Sequence, residues 1–143
     1  MMPLNNMERD SCTDDEIRKI YLMKNIAVVG MSKNQDKAAH YVPKYLIEQG
    51  FNVIPVNPTA TEILGRKCYP TLLDVPDTVD IVDVFRPSDQ LMPVMEESVK
   101  IKPNVIWLQE GIHNKEAEDV ARKAGIPLVI FNRCMLAEHQ RLF

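Results

Sequence analysis

The hydrophobic positions of the chain fall into two patterns, short continuous apolar runs and longer stretches with helical spacing. The runs are mostly apolar at consecutive positions rather than alternating, which is typical of strands covered on both faces of a parallel sheet. The sequence therefore predicts five such strands, at residues 26–30, 51–56, 81–85, 105–108 and 128–131.

Helical spacing fills the intervals between these runs. Thr13 and Glu16 form a capping box that predicts a first helix, and Asn114 is the predicted N-cap of a later one. Ser88 is a further predicted N-cap. The expected helices begin at Thr13 and then cover about 39–49, 88–101 and 114–124, with a short helix at 71–74 and a helical segment in the tail from 133 to 143.

Strands that alternate with helices of this length predict right-handed βαβ crossovers. The expected fold class is α/β, a Rossmann-like, doubly wound, mostly parallel five-stranded sheet with helices on both faces. The chain of 143 residues fits one domain, predicted over 13–143 after a flexible N-terminal arm over 1–12. Its apolar C-terminus is expected to dock on the domain or on a neighbouring copy, so the sequence leaves open whether the protein forms a homo-oligomer.

The candidate site lies where the strands end. In open parallel sheets the ligand binds outside the carboxyl ends of the strands, and Gly30 allows the tight turn there that a phosphate needs. The backbone amides of Met31 to Lys33 are expected to face an anion. The other donors are the Ser32 hydroxyl, the Lys33 and Lys37 ammonium groups, and Arg86, which can hold a phosphate by two parallel hydrogen bonds.

Two nucleotide classes fit the first loop poorly. Only the first glycine of GxGxxG is present in Gly30-Met31-Ser32, and Asn57 stands where NAD sites carry an acidic residue. An NAD(P)-dependent oxidoreductase is thus disfavoured but remains an alternative. The GxxxxGK[ST] motif of ATP hydrolysis is missing.

Several separated segments carry a resemblance to a known family. They are IAVVGMSKN, IPVNP, YPTL, VDIVDVFRP, IWLQEGI and NRCM, in this order between residues 25 and 142. They resemble the small stand-alone coenzyme A-binding proteins and, more distantly, the nucleotide-binding domain of the succinyl-coenzyme A synthetase alpha subunit.

The resemblance implies a coenzyme A or acyl-coenzyme A ligand. It implies Gly30, Ser32 and Lys33 in the phosphate turn and Asn57 and Pro58 at the adenosine end. It further implies Phe85, Arg86 and Pro87 along the middle and Trp107, Gln109 and Gly111 near the pantetheine path. The sequence departs from the family pattern in two places, since Lys37-Ala38-Ala39 replaces Arg-Pro-Ser and Thr59 replaces a lysine.

Catalytic chemistry has weaker support in the sequence. His40, His113 and His139 show no metal or Glu-paired spacing, and Ser32 lacks the second glycine of a GxSxG elbow. Cys134 allows two interpretations, a thiol with a lowered pKa that exchanges disulfides with the coenzyme, or a small buried hydrophobe. We therefore predict a binding protein rather than an enzyme, with no metal site.

Composition narrows the partners further. A net charge of −3 gives no reason to expect nucleic acid or an anionic membrane, and no apolar run approaches the length of a membrane span. The N-terminus has no signal-peptide pattern, so a cytoplasmic location is expected. An interaction module that acts beside a separately encoded partner chain is the third functional alternative.

Overall fold

The computed structural model describes residues 10–143, and a parallel sheet runs through their centre. In chain order the strands of the described residues are β1 (Asn25–Val29), β2 (Asn52–Val56), β3 (Glu62–Ile63), β4 (Arg66–Lys67), β5 (Ile81–Val84), β6 (Val105–Leu108) and β7 (Leu128–Ile130). Five of them form this sheet in the order β2-β1-β5-β6-β7, and every pairing between neighbours is parallel. The predicted α/β, Rossmann-like fold is therefore confirmed.

Helices cover both faces of the sheet. They are α1 (Asp14–Ile20), α2 (Ala38–Glu48), α3 (Leu91–Ile101), α4 (Lys115–Lys123) and α5 (Met135–Leu142). Two core clusters result, because successive residues of a strand point to opposite faces. Ile26 and Val28 pack with α1, α2 and α5, whereas Ala27 and Val29 belong to the cluster that contains α3 and α4. This double burial explains why β1 is apolar at consecutive positions.

The predicted start of the third helix needs a correction. Ser88 is not an N-cap, because residues Ser88–Gln90 form a 3-10 turn and α3 begins only at Leu91. The Ser88 hydroxyl instead accepts a hydrogen bond from the backbone N–H of His113 at 3.1 Å. A hydrogen bond from the loop between β6 and α4 thus occupies the hydroxyl that would otherwise cap the helix.

The other predicted caps are present. Thr13 and Glu16 form the complete capping box of α1, and the Asn114 side chain accepts a bond from the Ala117 N–H.

The segment between β2 and β5 contains the short β3–β4 hairpin, which the sequence pattern did not indicate, and a 3-10 turn at Leu72–Asp74.

The two ends of the described chain lie against the body. The Asp10 carboxylate accepts hydrogen bonds from the Arg133 guanidinium and from the Phe131 N–H. At the other end, the Tyr21 hydroxyl donates to the carbonyl of Met135 at the start of α5. Residues 1–9 of the predicted arm lie outside the described residues. No helix between residues 10 and 143 has the length and apolar character that crossing a bilayer requires.

Candidate functional site

The candidate site is a crevice between the carboxyl ends of β1 and β5, which are neighbours in the sheet. The helix that follows β1 packs on one face of the sheet, and the helix that follows β5 packs on the other. The loops therefore separate above the strand ends and leave a crevice at this switch point. The sequence predicted this edge of the sheet as the ligand side.

Gly30 lies directly against the backbone of Phe85, where the loops after β1 and β5 touch at the base of the crevice. Its φ is +86°, and a Cβ atom built at this position would lie 2.3 Å from the carbonyl oxygen of Phe85. The Phe85 N–H in turn donates to the Val29 carbonyl at 2.8 Å. Because a side chain would fit neither the backbone conformation nor the space, only glycine allows the two loops to meet here.

The loop after Gly30 uses some of its own donors. The Ser32 N–H donates to the carbonyl of Ala39, and the Ser32 hydroxyl oxygen accepts from the Asn34 N–H. The His40 ring holds the Ser32 carbonyl through Nδ1 at 2.7 Å. The expectation that all amides from Met31 to Lys33 face an anion is therefore corrected for Ser32. The Met31 side chain is fully buried in the core.

Three cations surround this turn. Lys33 and Lys37 are exposed on the loop, and Arg86 is half-buried on the neighbouring one. Within residues 10–143 none of the three forms an ion pair with a carboxylate. Lys37 is also the N-cap of α2, whose first turn has no acidic residue and no side-chain cap. The positive end of this helix is thus open to an anion.

A cleft of about 530 Å³ extends from the crevice along α3. Pro58 and Thr71 line it from the β2 side, and Arg86, Gln90 and Glu97 line it from the β5 side. Phe85 is half-buried and Pro87 is exposed beside this cleft. The predicted residues Pro58 and Arg86 are therefore brought to one surface.

Asn57 has a structural role in the turn after β2. Its Nδ2 donates to the Met31 carbonyl at 2.8 Å, and its Oδ1 accepts from the N–H and hydroxyl of Thr59. The amide therefore connects the loops after β1 and β2.

Trp107 and Gln109 require a correction. The Trp107 side chain is fully buried and its indole N–H donates to the Arg133 carbonyl at 2.8 Å. Gln109 is 3% exposed, with Nε2 donating to Asp83 and Oε1 accepting from the Met135 N–H. Both side chains lie in the core beneath α5. Gly111 remains in the half-buried loop, where its N–H donates to the Asn132 side chain.

Asp83 is a buried acid that the sequence analysis did not single out. It has no exposed surface, and its Oδ2 has no hydrogen-bond partner among the described residues. Burial raises the pKa of Asp83 to about 7, against the opposing effect of the bond from Gln109. The signal in the sequence was a lone acid inside an apolar strand.

Asp83 leads to a prediction about pH and stability. The free energy of unfolding, relative to that of the Asp83→Asn variant, should fall as pH rises from about 3.8 to about 7. The folded state binds more protons than the unfolded state across this window, so the slope is about −1.4 kcal/mol per pH unit at most. Urea unfolding of both proteins over a pH series measures it. The exposed Asp89→Asn variant is the control. Free energies of unfolding of wild type and Asp83→Asn that change with pH in parallel would contradict the prediction.

The structure favours the second interpretation of Cys134, that of a small hydrophobic residue rather than a reactive thiol. It is the N-cap residue of α5 and is half-buried. Burial raises the pKa of its thiol, although the backbone N–H groups of Ala137 and Leu136 oppose this effect. The lowered pKa expected of a reactive thiolate is therefore not found.

One pair of ionisable side chains was missed entirely. His113 Nδ1 lies 2.5 Å from Oε2 of Glu118, whose side chain is 1% exposed. The histidine spacing had indicated no pairing with a glutamate, and the contact between His113 and Glu118 corrects that expectation. The sequence did contain a signal for this pair. Asn114 marks the start of α4, and side chains in a helix tilt toward its N-terminus, so the Glu118 side chain is directed back toward His113.

The parallel sheet, the glycine turn and the crevice at the switch point define a Rossmann-like class of domain. Within that class the chain belongs to the CoA binding domain family, whose model matches residues 24–140. The match includes the whole five-stranded sheet and leaves α1 outside, as the resemblance in the sequence indicated.

Relatives of two kinds are similar to this chain. The uncharacterized protein YneT of Bacillus subtilis is 40% identical over 116 residues, which are 81% of this chain and 85% of that protein. The ADP-forming acetate–CoA ligase II of Archaeoglobus fulgidus is 34% identical over 131 residues, covering 83% of this chain and 20% of the ligase. A solved structure from Thermus thermophilus superposes with a TM-score of 0.88 at 44% identity, over 92% of this chain and all of that one.

Proposed function

We propose that this protein binds coenzyme A or an acyl-coenzyme A in the crevice at the carboxyl ends of β1 and β5. The observation that carries the proposal is a group of three cations around the Gly30 turn, Lys33, Lys37 and Arg86, which have no carboxylate partner among residues 10–143. Membership of the CoA binding domain family supports the choice of ligand.

The phosphates would be held from both sides of the crevice. On the β1 side, the open N-terminus of α2 and the ammonium groups of Lys33 and Lys37 supply positive charge, and the Ser32 hydroxyl can donate a hydrogen bond. On the β5 side, the planar guanidinium of Arg86 suits two phosphate oxygens at once. Lys37 replaces the arginine of the family pattern, so it acts as a point charge without bidentate geometry.

A ligand panel tests this proposal against the nicotinamide alternative. Isothermal titration calorimetry and thermal shift should show binding of coenzyme A, with NAD(H) and NADP(H) giving no comparable signal. Heat from a nicotinamide dinucleotide and none from coenzyme A would overturn the proposal. Side-by-side titration of acetyl-coenzyme A would show whether an acyl group changes the affinity.

Arg86 gives the sharpest single-residue prediction for binding. Arg86→Ala should weaken coenzyme A binding by about 10- to 150-fold, because hydrogen bonds to charged groups are worth about 1.5–3 kcal/mol. The fold should be retained, since the half-buried Arg86 makes no ion pair within the described residues.

Calorimetry of Arg86→Ala is compared with that of Lys123→Ala, which removes an exposed charge from the last turn of α4. The control should bind as the wild type does. Equal affinity of Arg86→Ala and wild type would exclude Arg86 from the phosphate site.

The second candidate function is that of a binding module beside a separate partner chain. The observation that favours it is the span of the match, since this chain corresponds to 20% of the length of the ADP-forming ligase. The resemblance to succinyl-coenzyme A synthetase likewise implies that catalysis needs other domains.

Native mass spectrometry of the protein purified from the cytoplasmic fraction of its own host tests this module. It reports retained ligand, partner chain and copy number together. A stable second chain would support the module, and a ligand-loaded single species or homo-oligomer would support independent binding.

A further inference from the structure

His113 is attached to the same loop that carries Arg86. It lies between β6 and α4, and its backbone N–H donates to the Ser88 hydroxyl at 3.1 Å. The adjacent Asn114 side chain donates to the Ser88 carbonyl at 2.9 Å. Ser88 follows Arg86 by two residues, and the next residue, Asp89, lines the cleft. The backbone at His113 is therefore attached to the loop whose residues Arg86 and Asp89 line the cleft.

The His113 ring is held in one orientation. It stacks on Phe131 with a centroid distance of 3.9 Å and an interplanar angle of 20°. Its Nδ1 contacts Oε2 of Glu118, and that oxygen also accepts a hydrogen bond from the Asn114 N–H at 2.7 Å. The other Glu118 oxygen faces Arg122 at 3.4 Å.

These partners determine the proton positions on the neutral ring. A carboxylate that already accepts from a backbone N–H and from an arginine acts as an acceptor toward His113, so Nδ1 carries the proton. Nε2 then keeps its lone pair. The His113 side chain is 24% exposed, and within residues 10–143 Nε2 has no hydrogen-bond partner. A histidine oriented in this way by a carboxylate is suited to accept a proton.

The strand order places the loop that carries His113 two strand positions from β1, at the carboxyl edge of the sheet. Neighbouring strands are about 4.8 Å apart, so the end of β6 lies roughly 10 Å from the end of β1 along the sheet edge. The extended pantetheine arm of coenzyme A is longer than this distance. A molecule held by its phosphates near Gly30 and Arg86 can therefore bring its thiol to the loop of His113.

We propose that His113 accepts the proton of the coenzyme A thiol and makes the bound sulfur nucleophilic. This inference rests on the proposed binding of coenzyme A. The S–H bond breaks, the proton moves to Nε2, and Glu118 stabilises the imidazolium that forms. The site thereby activates the ligand that it binds.

Alkylation of bound coenzyme A by iodoacetamide tests the inference, with iodide as the leaving group. The protein is kept in excess so that the coenzyme is bound, and carboxamidomethyl-coenzyme A is quantified by mass spectrometry, which separates it from alkylated protein cysteines. Near neutral pH the His113→Gln variant should react on the order of 100-fold more slowly than wild type, the usual contribution of a general base. His113→Phe, which keeps an aromatic ring over Phe131, should show the same loss.

Calorimetric titration of each variant with coenzyme A distinguishes the two proposals. Near-wild-type affinity with the slow rate supports thiol activation. Near-wild-type affinity with an unchanged rate overturns it and leaves the binding function intact. If wild type itself does not bind coenzyme A, the proposed function fails, and thiol activation fails with it. His139→Gln is the matched control, because His139 lies against Tyr45 on α2 and should leave the rate unchanged.

Discussion

The Gly30→Ala variant is expected to lose on the order of 3 kcal/mol or more of its free energy of unfolding, and with it the ligand crevice. An L-residue at φ +86° costs about 1–2 kcal/mol. In addition, the new Cβ would lie 2.3 Å from the Phe85 carbonyl oxygen. This oxygen belongs to backbone that is tied to Val29 by the Phe85 N–H, so relief of the clash must separate β1 from β5. Chemical denaturation measures the loss.

Gly50→Ala is the matched control for this variant. Gly50 also has a left-handed φ, +95°, but a Cβ there would meet no heavy atom within 4 Å. Its cost should therefore be the conformational part alone, about 1–2 kcal/mol. Equal losses in both variants would show that the contact with Phe85 does not matter, whereas a larger loss at Gly30 isolates it.

The Asp10→Ala variant is expected to destabilise the fold by about 3–5 kcal/mol. Asp10 and Arg133 form an ion pair whose side chains are only 6% and 8% exposed. Removing one partner of such a pair leaves an uncompensated buried charge, which costs far more than the pair itself contributes. Among the described residues, Arg133 would retain the Glu138 carboxylate at 3.7 Å and the Cys12 carbonyl at 3.3 Å. The midpoint of urea unfolding measures the effect.

Asp14→Ala provides the exposed counterpart. Asp14 pairs with Arg141, but the two side chains are 52% and 46% exposed, so water screens the interaction. Losing such an exposed pair should therefore destabilise the fold far less than losing the buried Asp10–Arg133 pair. If both variants were equally stable, burial of the Asp10 pair would not be important, and the attachment of residues 10–12 to the body would be weak.

Most of the fold could be predicted because its signals are local. The continuous apolar run of β1 indicates burial on both faces, and Thr13 and Asn114 cap their helices through neighbours three residues away. Ser88 shows the limit of such signals. Its hydroxyl suits an N-cap, yet it bonds to His113, which lies 25 positions away in the chain.

The candidate site was predicted in part for a topological reason. Parallel strands end at one edge of the sheet, so Gly30, Pro58 and Arg86 had to come together once the strands were recognised. Trp107 lies in β6 and Gln109 comes directly after it, so the same reasoning placed both residues at the ligand edge. Their side chains, however, point to the face that α5 covers. The apolar pattern of β6 does not reveal which helix covers which face.

The sequence by itself determined the α/β class, the carboxyl edge as the ligand side and the family resemblance, because strand periodicity, turn glycines and caps depend on adjacent residues. Only the tertiary structure decided that Trp107 and Gln109 lie in the core, that Asp83 is buried, and that His113 meets Glu118 beside the Arg86 loop. Side-chain direction and burial depend on how distant elements pack. For Trp107 and Gln109 in particular, no local pattern shows which helix covers their face of the sheet.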